Sequence, residues 1–428
     1  MGALSLPAMR HMARKIRILA IATNNWCSVG QFLSALIQVG FEVAVVCPSR
    51  SPIRHIKKLS AQYKYKSWRS RTSVLSAIAD WSPNLLVCND DVAVHALHDL
   101  HRQVGVEPQG SKSAGLLRLI EASLGDCRSF NTCRSKTGLI AVAQSLKIAC
   151  PPTIVANTYV ELEEHLGTLG YPAIIKLDQS WGGRGVRLAR NDHELLGAAL
   201  ELSLPHDWPK SLKQVVARYL PDRWCPFFTQ KLSIQHYIRG RSANRAVVCW
   251  DGRVLAGVSI EAIETDSEFG PTTLARTVDH AEMADVAEKI VASLKLSGFL
   301  GFDFVLDGAN RAWFLEMNAR VTPACHLRFE ASSLPAALFF ELTGEKPSVD
   351  VRQIPSDIVG IFPNRVSKET PHQYFDDVPE EEGAFLNACR SSRFFREIDW
   401  KVQFDRLASR LLRANRLNNI LSEGSNDN

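Results

Sequence analysis

The sequence predicts an open α/β unit followed by a larger α+β region, and three observations carry the prediction. Strand, helix and strand alternate between residues 16 and 47. A strand containing a lysine runs into a glycine-rich loop near residue 180. A hairpin between Gly301 and Arg320 sets polar side chains into two apolar runs.

In the first unit, Ile16–Ala22 reads as a short apolar strand followed by the polar turn Thr23-Asn24-Asn25. Val29–Val39 has helical apolar spacing, and Gly40 closes it as glycine commonly does. Phe41–Cys47 is the next strand, ended by Pro48, and Leu85–Cys88 is a later one. This order implies an open α/β domain over about residues 15–125, with 1–14 as a loose leader. The first turn lacks Gly-x-Gly-x-x-Gly, so no dinucleotide fingerprint is present. Asn89-Asp90-Asp91 lies at the carboxyl end of a strand. It reads as a helix cap, with a ligand role as the alternative. His95, His98 and His101 recur every three residues. That spacing drifts around a helix, and no carboxylate falls in register, so zinc is not read there.

A second unit spans about 126–345. Lys136 opens a helix through Leu139, Val142, Leu146 and Ile148. A cation there opposes the helix dipole unless it faces an anion. Tyr159–Leu169 reads as a helix. Tyr171–Asp178 is a strand whose Lys176 needs a partner or a cleft. Gly182, Gly183 and Gly185 follow in a loop whose free N–H groups suit phosphate, although no Gly-Lys-Ser/Thr makes it a P-loop. Val186–Ala189 is a strand, His193–Leu202 a helix and Lys231–Ile238 a strand. Ala246–Trp250 and Val254–Ile260 form a hairpin around Asp251-Gly252. Gly270–Thr273 is a loop, Ala284–Leu296 an amphipathic helix, and Ala324–Leu342 apolar and helical. Residues 346–428 form a C-terminal extension expected to be mostly helical. Its last helix, Trp400–Leu421, is amphipathic and basic. It reads as packed or solvated, with an oligomer contact such as a homodimer as the minor alternative.

The hairpin holds Asp303, Glu316 and Asn318. Strand side chains alternate faces, so Glu316 and Asn318 share one, and an even-length loop puts Asp303 there too. Phe302, Phe304 and Leu306, with Trp313, Leu315 and Met317, are expected on the opposite, core face. Two carboxylates and an amide together suit a hard divalent cation with oxygen ligands. A solvated outer sheet face is the alternative.

Composition narrows the classes. A net charge of +5, from 50 basic and 45 acidic residues, shows no dominant basic stripe, so nucleic acid is not an expected partner. The 10 cysteines include no Cys-x-x-Cys pair, which leaves zinc-ribbon and redox motifs unsupported. No apolar run approaches the roughly 20 residues of a membrane span. A cytoplasmic protein with reduced thiols is expected.

Taken in order, Ile175-Lys176, Gly182-Gly183-Arg184-Gly185-Val186, Gln235-His236-Tyr237-Ile238, Gly301-Phe302-Asp303-Phe304 and Phe314–Arg320 closely resemble the ATP-grasp superfamily over roughly residues 110–330. The N-terminal unit resembles its pre-ATP-grasp domain. The resemblance implies an ATP-grasp fold of two α+β subdomains clasping ATP. It also implies roles. Lys136 and Lys176 hold phosphates, and Gly182, Gly183 and Gly185 form the lid. Gln235 meets the adenine amino group, with backbone contacts from His236 and Ile238. Asp303, Glu316 and Asn318 hold Mg²⁺ (or Mn²⁺), and Arg320 faces the transferring phosphate, making Arg320 and Lys176 the catalytic pair. The reaction implied is ADP-forming activation of a small-molecule carboxylate as an acylphosphate, which an amine then attacks. Carboxylate–thiol ligation, carboxylase or carbamoyl-phosphate chemistry, and a non-catalytic nucleotide-binding protein are the alternatives. The family often has an acidic residue after the hinge glycine. Here the run is Gly240-Arg241-Ser242-Ala243-Asn244, with Asn244 as the substitute.

Overall fold

The structure is a computed structural model and describes residues 15–392, apart from 107–110, 166–167, 178–184, 204–226, 330–332, 350, 365–369 and 371. The expected leader, most of the glycine loop and the basic terminal helix lie outside the described residues.

The N-terminal unit is a four-stranded parallel sheet of β1 (Arg17–Ile21), β2 (Glu42–Cys47), β3 (Ala61–Lys64) and β4 (Leu85–Cys88) in the order β3-β2-β1-β4. The strands β1, β2 and β4 are apolar along almost their whole length because helices cover both faces, whereas the edge strand β3 exposes Gln62 and Lys64. Leu19, Ile21, Ala44 and Val46 pack towards the helices Ser70–Trp81 and Asp91–Gly105. Ile18, Ala20, Val43 and Val45 face the helix Gly30–Gln38 and continue into the core of the large sheet described below. Phe32 meets Phe299 edge-on at 4.7 Å within that shared core.

The second sheet holds β5 (Thr153–Thr158), β6 (Ala173–Leu177), β7 (Val186–Ala189) and β8 (Phe227–His236) in the order β5-β8-β6-β7. The helix Asp192–Ser203 packs on it through Leu195, Ala199 and Leu202. The third sheet has seven strands: β9 (Gly240–Trp250), β10 (Arg253–Thr265), β11 (Thr272–Thr277), β12 (Gly298–Asp307), β13 (Ala312–Asn318), β14 (Ile358–Gly360) and β15 (Phe375–Asp376). Their order is β13-β12-β9-β10-β11-β14-β15. One face is covered by the helices Lys136–Ser145 and Ala281–Leu294.

Two expectations change. Gly270–Thr273 reads as a loop in sequence, yet β11 begins at Thr272, because it pairs with the preceding strand β10 and, from distant sequence, with β14. Among the described residues of the apolar run 324–342, the helix covers Leu334 onward, ending at Thr343. Ser333 caps it through Ala336 N–H and Pro335 sits in its first turn, while Thr322–Leu327 is occupied by turns. Beyond 346 the described residues contribute β14 and β15 as well as the helix Gly383–Ser391. No helix among the described residues is long and apolar enough to cross a membrane.

Candidate active site

The β12–β13 hairpin brings the acidic groups together by a route the alternation rule alone does not give. Leu306 pairs with Ala312 across an odd loop, and Asn310 turns it at φ 61°. Asp307 closes the turn by accepting from Ala309 and Arg311 N–H. An odd loop would set Asp303 opposite Leu315. A bulge between the pairs Phe304–Phe314 and Asp303–Glu316 removes Leu315 from the ladder and restores Glu316 opposite Asp303. The same bulge corrects the expected core face. Phe314 and Ala312, not Trp313 and Leu315, bury with Phe302, Phe304, Leu306 and Met317.

Asp303 lies deep in this face. Asn244 Nδ2 donates to one of its oxygens at 2.7 Å and Asn318 Nδ2 to the other at 2.9 Å. Burial, then Glu316, push its carboxyl up to about 6, against the opposing pull of these amides and Arg320. Burial also acts on Glu316, but Lys136 and then Lys176 outweigh it and hold that carboxyl below its usual range. Lys136, at the start of a helix capped by Ser135, places Nζ 3.0 Å from Glu316 Oε2. The lysine at the helix start therefore does face an anion.

Lys176 points from β6 towards the same space. Its Nζ donates to Gln235 Oε1 at 2.8 Å, and Gln235 Nε2 donates to Thr153 Oγ1. Burial, with help from Lys136, lowers the Lys176 ammonium to about 8. A small pocket between the second sheet and the β13 edge of the third is lined by Lys136, Thr153, Lys176, Gln235 and Leu315, among others. The His236 N–H is taken by Pro152 O. Ile238 follows β8, partly buried. Gly185 is buried at the base of its loop, its carbonyl accepting from Leu177 N–H; Gly182 and Gly183 lie outside the described residues.

Arg320 joins the two halves of the chain. Its Nε donates to Asp91 at 3.0 Å and its Nη2 to Asn318 Oδ1 at 3.2 Å, and its guanidinium lies 5.9 Å from the Trp26 ring. One residue on, Val321 N–H donates to Cys88 O at the end of β4. Gly301 permits this approach, because a Cβ there would fall 2.2 Å from Thr322 Cγ2. Asp90 is the expected cap, accepting from Ala93 N–H and from Thr23. Asp91 and Asn244 have partners at this site that sequence reasoning did not assign to them. Asp91 stands beside a cap, and its contact to Arg320 spans 229 positions. Asn244 reads as a ribose contact in sequence, but its amide is directed to Asp303.

The oxygen donors of Asp303, Glu316 and Asn318 fit Mg²⁺ or Mn²⁺, which prefer hard oxygen ligands. Asn318 would ligate through Oδ1, the atom that here accepts from Arg320.

Residues 216–324 match the family described as the ATP-grasp domain. A carbamoyl phosphate synthase large chain of Sulfurisphaera tokodaii is 25% identical over 196 residues, which is 44% of this chain and 17% of that one. The chain thus spans only about a sixth of that relative. Among solved structures, the biotin carboxylase domain dimer of Hydrogenobacter thermophilus 2-oxoglutarate carboxylase, complexed with MgADP, ADP and bicarbonate, superposes with TM-score 0.54 at 13% identity, covering 78% of this chain and 71% of that one. The Staphylococcus aureus N5-carboxyaminoimidazole synthetase complexed with ADP gives 0.54 at 14%, covering 79% and 80%. The Bacillus licheniformis L-amino acid ligase gives 0.52 at 14%, covering 80% and 79%. Residues 216–324 thus carry the match to the ATP-grasp domain, and the superpositions show that the chain shares the fold of these solved proteins, with a parallel α/β sheet ahead of the matched region.

Proposed function

We propose that the protein is an ATP- and Mg²⁺-dependent ligase that activates a small-molecule carboxylate as an acylphosphate, releasing ADP, for attack by an amine. The observation that carries the reading is the convergence of Asp303, Glu316 and Asn318 with Lys136 at 3.0 Å and Arg320 against Asn318. Bound Mg²⁺ would neutralise phosphate charge at the two carboxylates. Lys136 and Lys176 would then turn from Glu316 and Gln235 to phosphate oxygens. Arg320, held from the other side by Asp91, would meet the charge that develops on the transferring phosphoryl group. The residues position groups and offset charge, as phosphoryl transfer requires. The glycine loop, Gly182, Gly183 and Gly185, would cover the phosphates, and Gln235, His236 and Ile238 would meet the adenine.

A second reading takes bicarbonate as the acid, giving carboxyphosphate. The 25% identity to a carbamoyl phosphate synthase over 196 residues favours it. Phosphate release with ATP and Mg²⁺ across a panel of carboxylates, amines and bicarbonate separates the two. Turnover that needs an organic carboxylate and yields ADP supports the first reading. Turnover on bicarbonate alone supports the second, and formation of AMP overturns both.

A further inference from the structure

A second polar cluster lies away from the nucleotide cleft, where the N-terminal unit hands the chain to the large sheet. His101 stands near the end of the helix Asp91–Gly105, Glu121 near the end of the helix Ser111–Leu124, and Cys127 opens the 3-10 turn Cys127–Ser129. Their ligand atoms all lie within 4.8 Å of one another, and each residue is partly exposed. His101 Nε2 is 2.7 Å from Glu121 Oε1, and the Cys127 thiol hydrogen-bonds the same carboxylate. Phe130 meets the His101 ring edge-on at 5.3 Å and is itself stacked by His98 at 4.0 Å. The imidazole is therefore steered by packing as well as by its acid partner.

Two donors from separate elements thus converge on one carboxylate, with nitrogen, oxygen and sulfur on offer. A nucleophilic triad does not fit. The imidazole faces Glu121 rather than the thiol, and burial followed by Glu121 raises the Cys127 thiol rather than activating it. A borderline-soft cation suits the same three atoms, since Zn²⁺ takes N, O and S ligands tetrahedrally and tolerates water in a fourth place. Bond lengths of about 2.0 Å to N and O and 2.3 Å to S put ligand atoms roughly 3.3–3.5 Å apart. The His101–Glu121 contact therefore has to open by roughly 0.6 Å, within reach of partly exposed side chains.

We propose that His101, Glu121 and Cys127 form a Zn²⁺ site with a water as fourth ligand. Binding releases the thiol proton to solvent, and the neutral imidazole carries its N–H on Nδ1 so that Nε2 offers its lone pair. The turn bearing Cys127 is anchored on the large-sheet half, through Asp126 N–H to Lys295 O and Ser129 Oγ to Leu294 O. The ion would therefore tie both helices to that half. His101 lies ten residues along the helix that begins with Asp91, about 15 Å at 1.5 Å per residue, so the ion would brace the element that positions Arg320.

The full chain, stripped with EDTA, is titrated with Co²⁺ and then with Zn²⁺ against a chromophoric chelator. One equivalent of Co²⁺ should give a near-ultraviolet thiolate-to-cobalt band together with visible tetrahedral bands. The thiolate band should vanish in Cys127→Ser and persist in Glu316→Gln, whose site has no thiol. Glu121→Gln should weaken Zn²⁺ by on the order of tenfold or more, as loss of metal-site groups generally does. Should Cys127→Ser fail to fold, Glu121→Gln with matched circular dichroism carries the test. Absence of a thiolate band, its survival in Cys127→Ser, or unchanged Zn²⁺ affinity in Glu121→Gln would overturn the site.

Discussion

Replacing Asp303 by asparagine should stabilise the metal-free protein while abolishing its reaction. The carboxyl sits at about 6 against an ordinary 3.8. Each tenfold change in proton affinity is worth about 1.4 kcal/mol, so keeping Asp303 ionised costs the metal-free fold about 3 kcal/mol. The asparagine side chain would remove that charge but offers one oxygen to the two amides, Asn244 and Asn318, that now donate to the carboxylate. One bond is lost unless an amide flips, at about 1 kcal/mol. The net gain at pH 7.5 is then about 1–2 kcal/mol. The sign fixes the pH dependence. The folded carboxyl keeps its proton above the pH where the unfolded one loses it, so the wild-type contribution falls as pH rises from about 4 to about 6 and stays low above that. The variant lacks this slope, so its advantage should shrink or reverse at pH 4. Urea unfolding in EDTA at both pH values measures the difference. Added Mg²⁺ should stabilise the wild type and leave Asp303→Asn unmoved. A variant less stable than wild type at pH 7.5, with a gap independent of pH, would refute the electrostatic account of the hairpin.

Three further outcomes follow from the same geometry. Glu316→Gln should lower Mg²⁺-dependent ATP turnover by about 10²–10³-fold, the scale seen when one preorganised charge-stabilising group is lost, with the fold retained by circular dichroism; full activity would sink the metal assignment. Lys176→Met should weaken ADP binding in calorimetry. Because the wild-type ammonium sits at about 8, wild-type affinity should decline as pH rises past that value while the variant stays flat. Asp91→Asn should leave the ATP KM nearly unchanged and reduce kcat about 10-fold or more, consistent with a lost positioning contact; an equal rise in KM would mean Asp91 serves binding instead.

Much of the fold is legible in the sequence because it rests on local patterns. The parallel strands Arg17–Ile21, Glu42–Cys47 and Leu85–Cys88 are apolar runs punctuated by Gly40 and Pro48, signals that need no partner to be read. The strand Thr272–Thr277 is not legible, since its neighbours come from residues 260–265 and 358–360. The helix at 334 is overextended in the sequence reading because apolar content persists through 321–329, where turns rather than helical bonds satisfy the backbone.

At the candidate site, Lys176, Asp303 and Glu316 stand out in the sequence because ionisable groups inside apolar runs are costly without a partner, while Lys136, Asn318 and Arg320 take their roles from the resemblance to the ATP-grasp superfamily. Which groups meet is a tertiary matter. Alternation along two strands could place Glu316 opposite Asp303 only through an even loop, whereas the chain uses an odd loop and a bulge at Leu315, a backbone detail with no distinct residue signature. The contacts of Asp91 with Arg320, Asn244 with Asp303 and Cys127 with Glu121 depend on how separate elements pack. Sequence determines which chemistry the chain carries, since side-chain type and local periodicity are properties of neighbouring residues. Only the packing of three sheets decided which of those side chains share one low-dielectric space, and there their charges and proton affinities are set by one another.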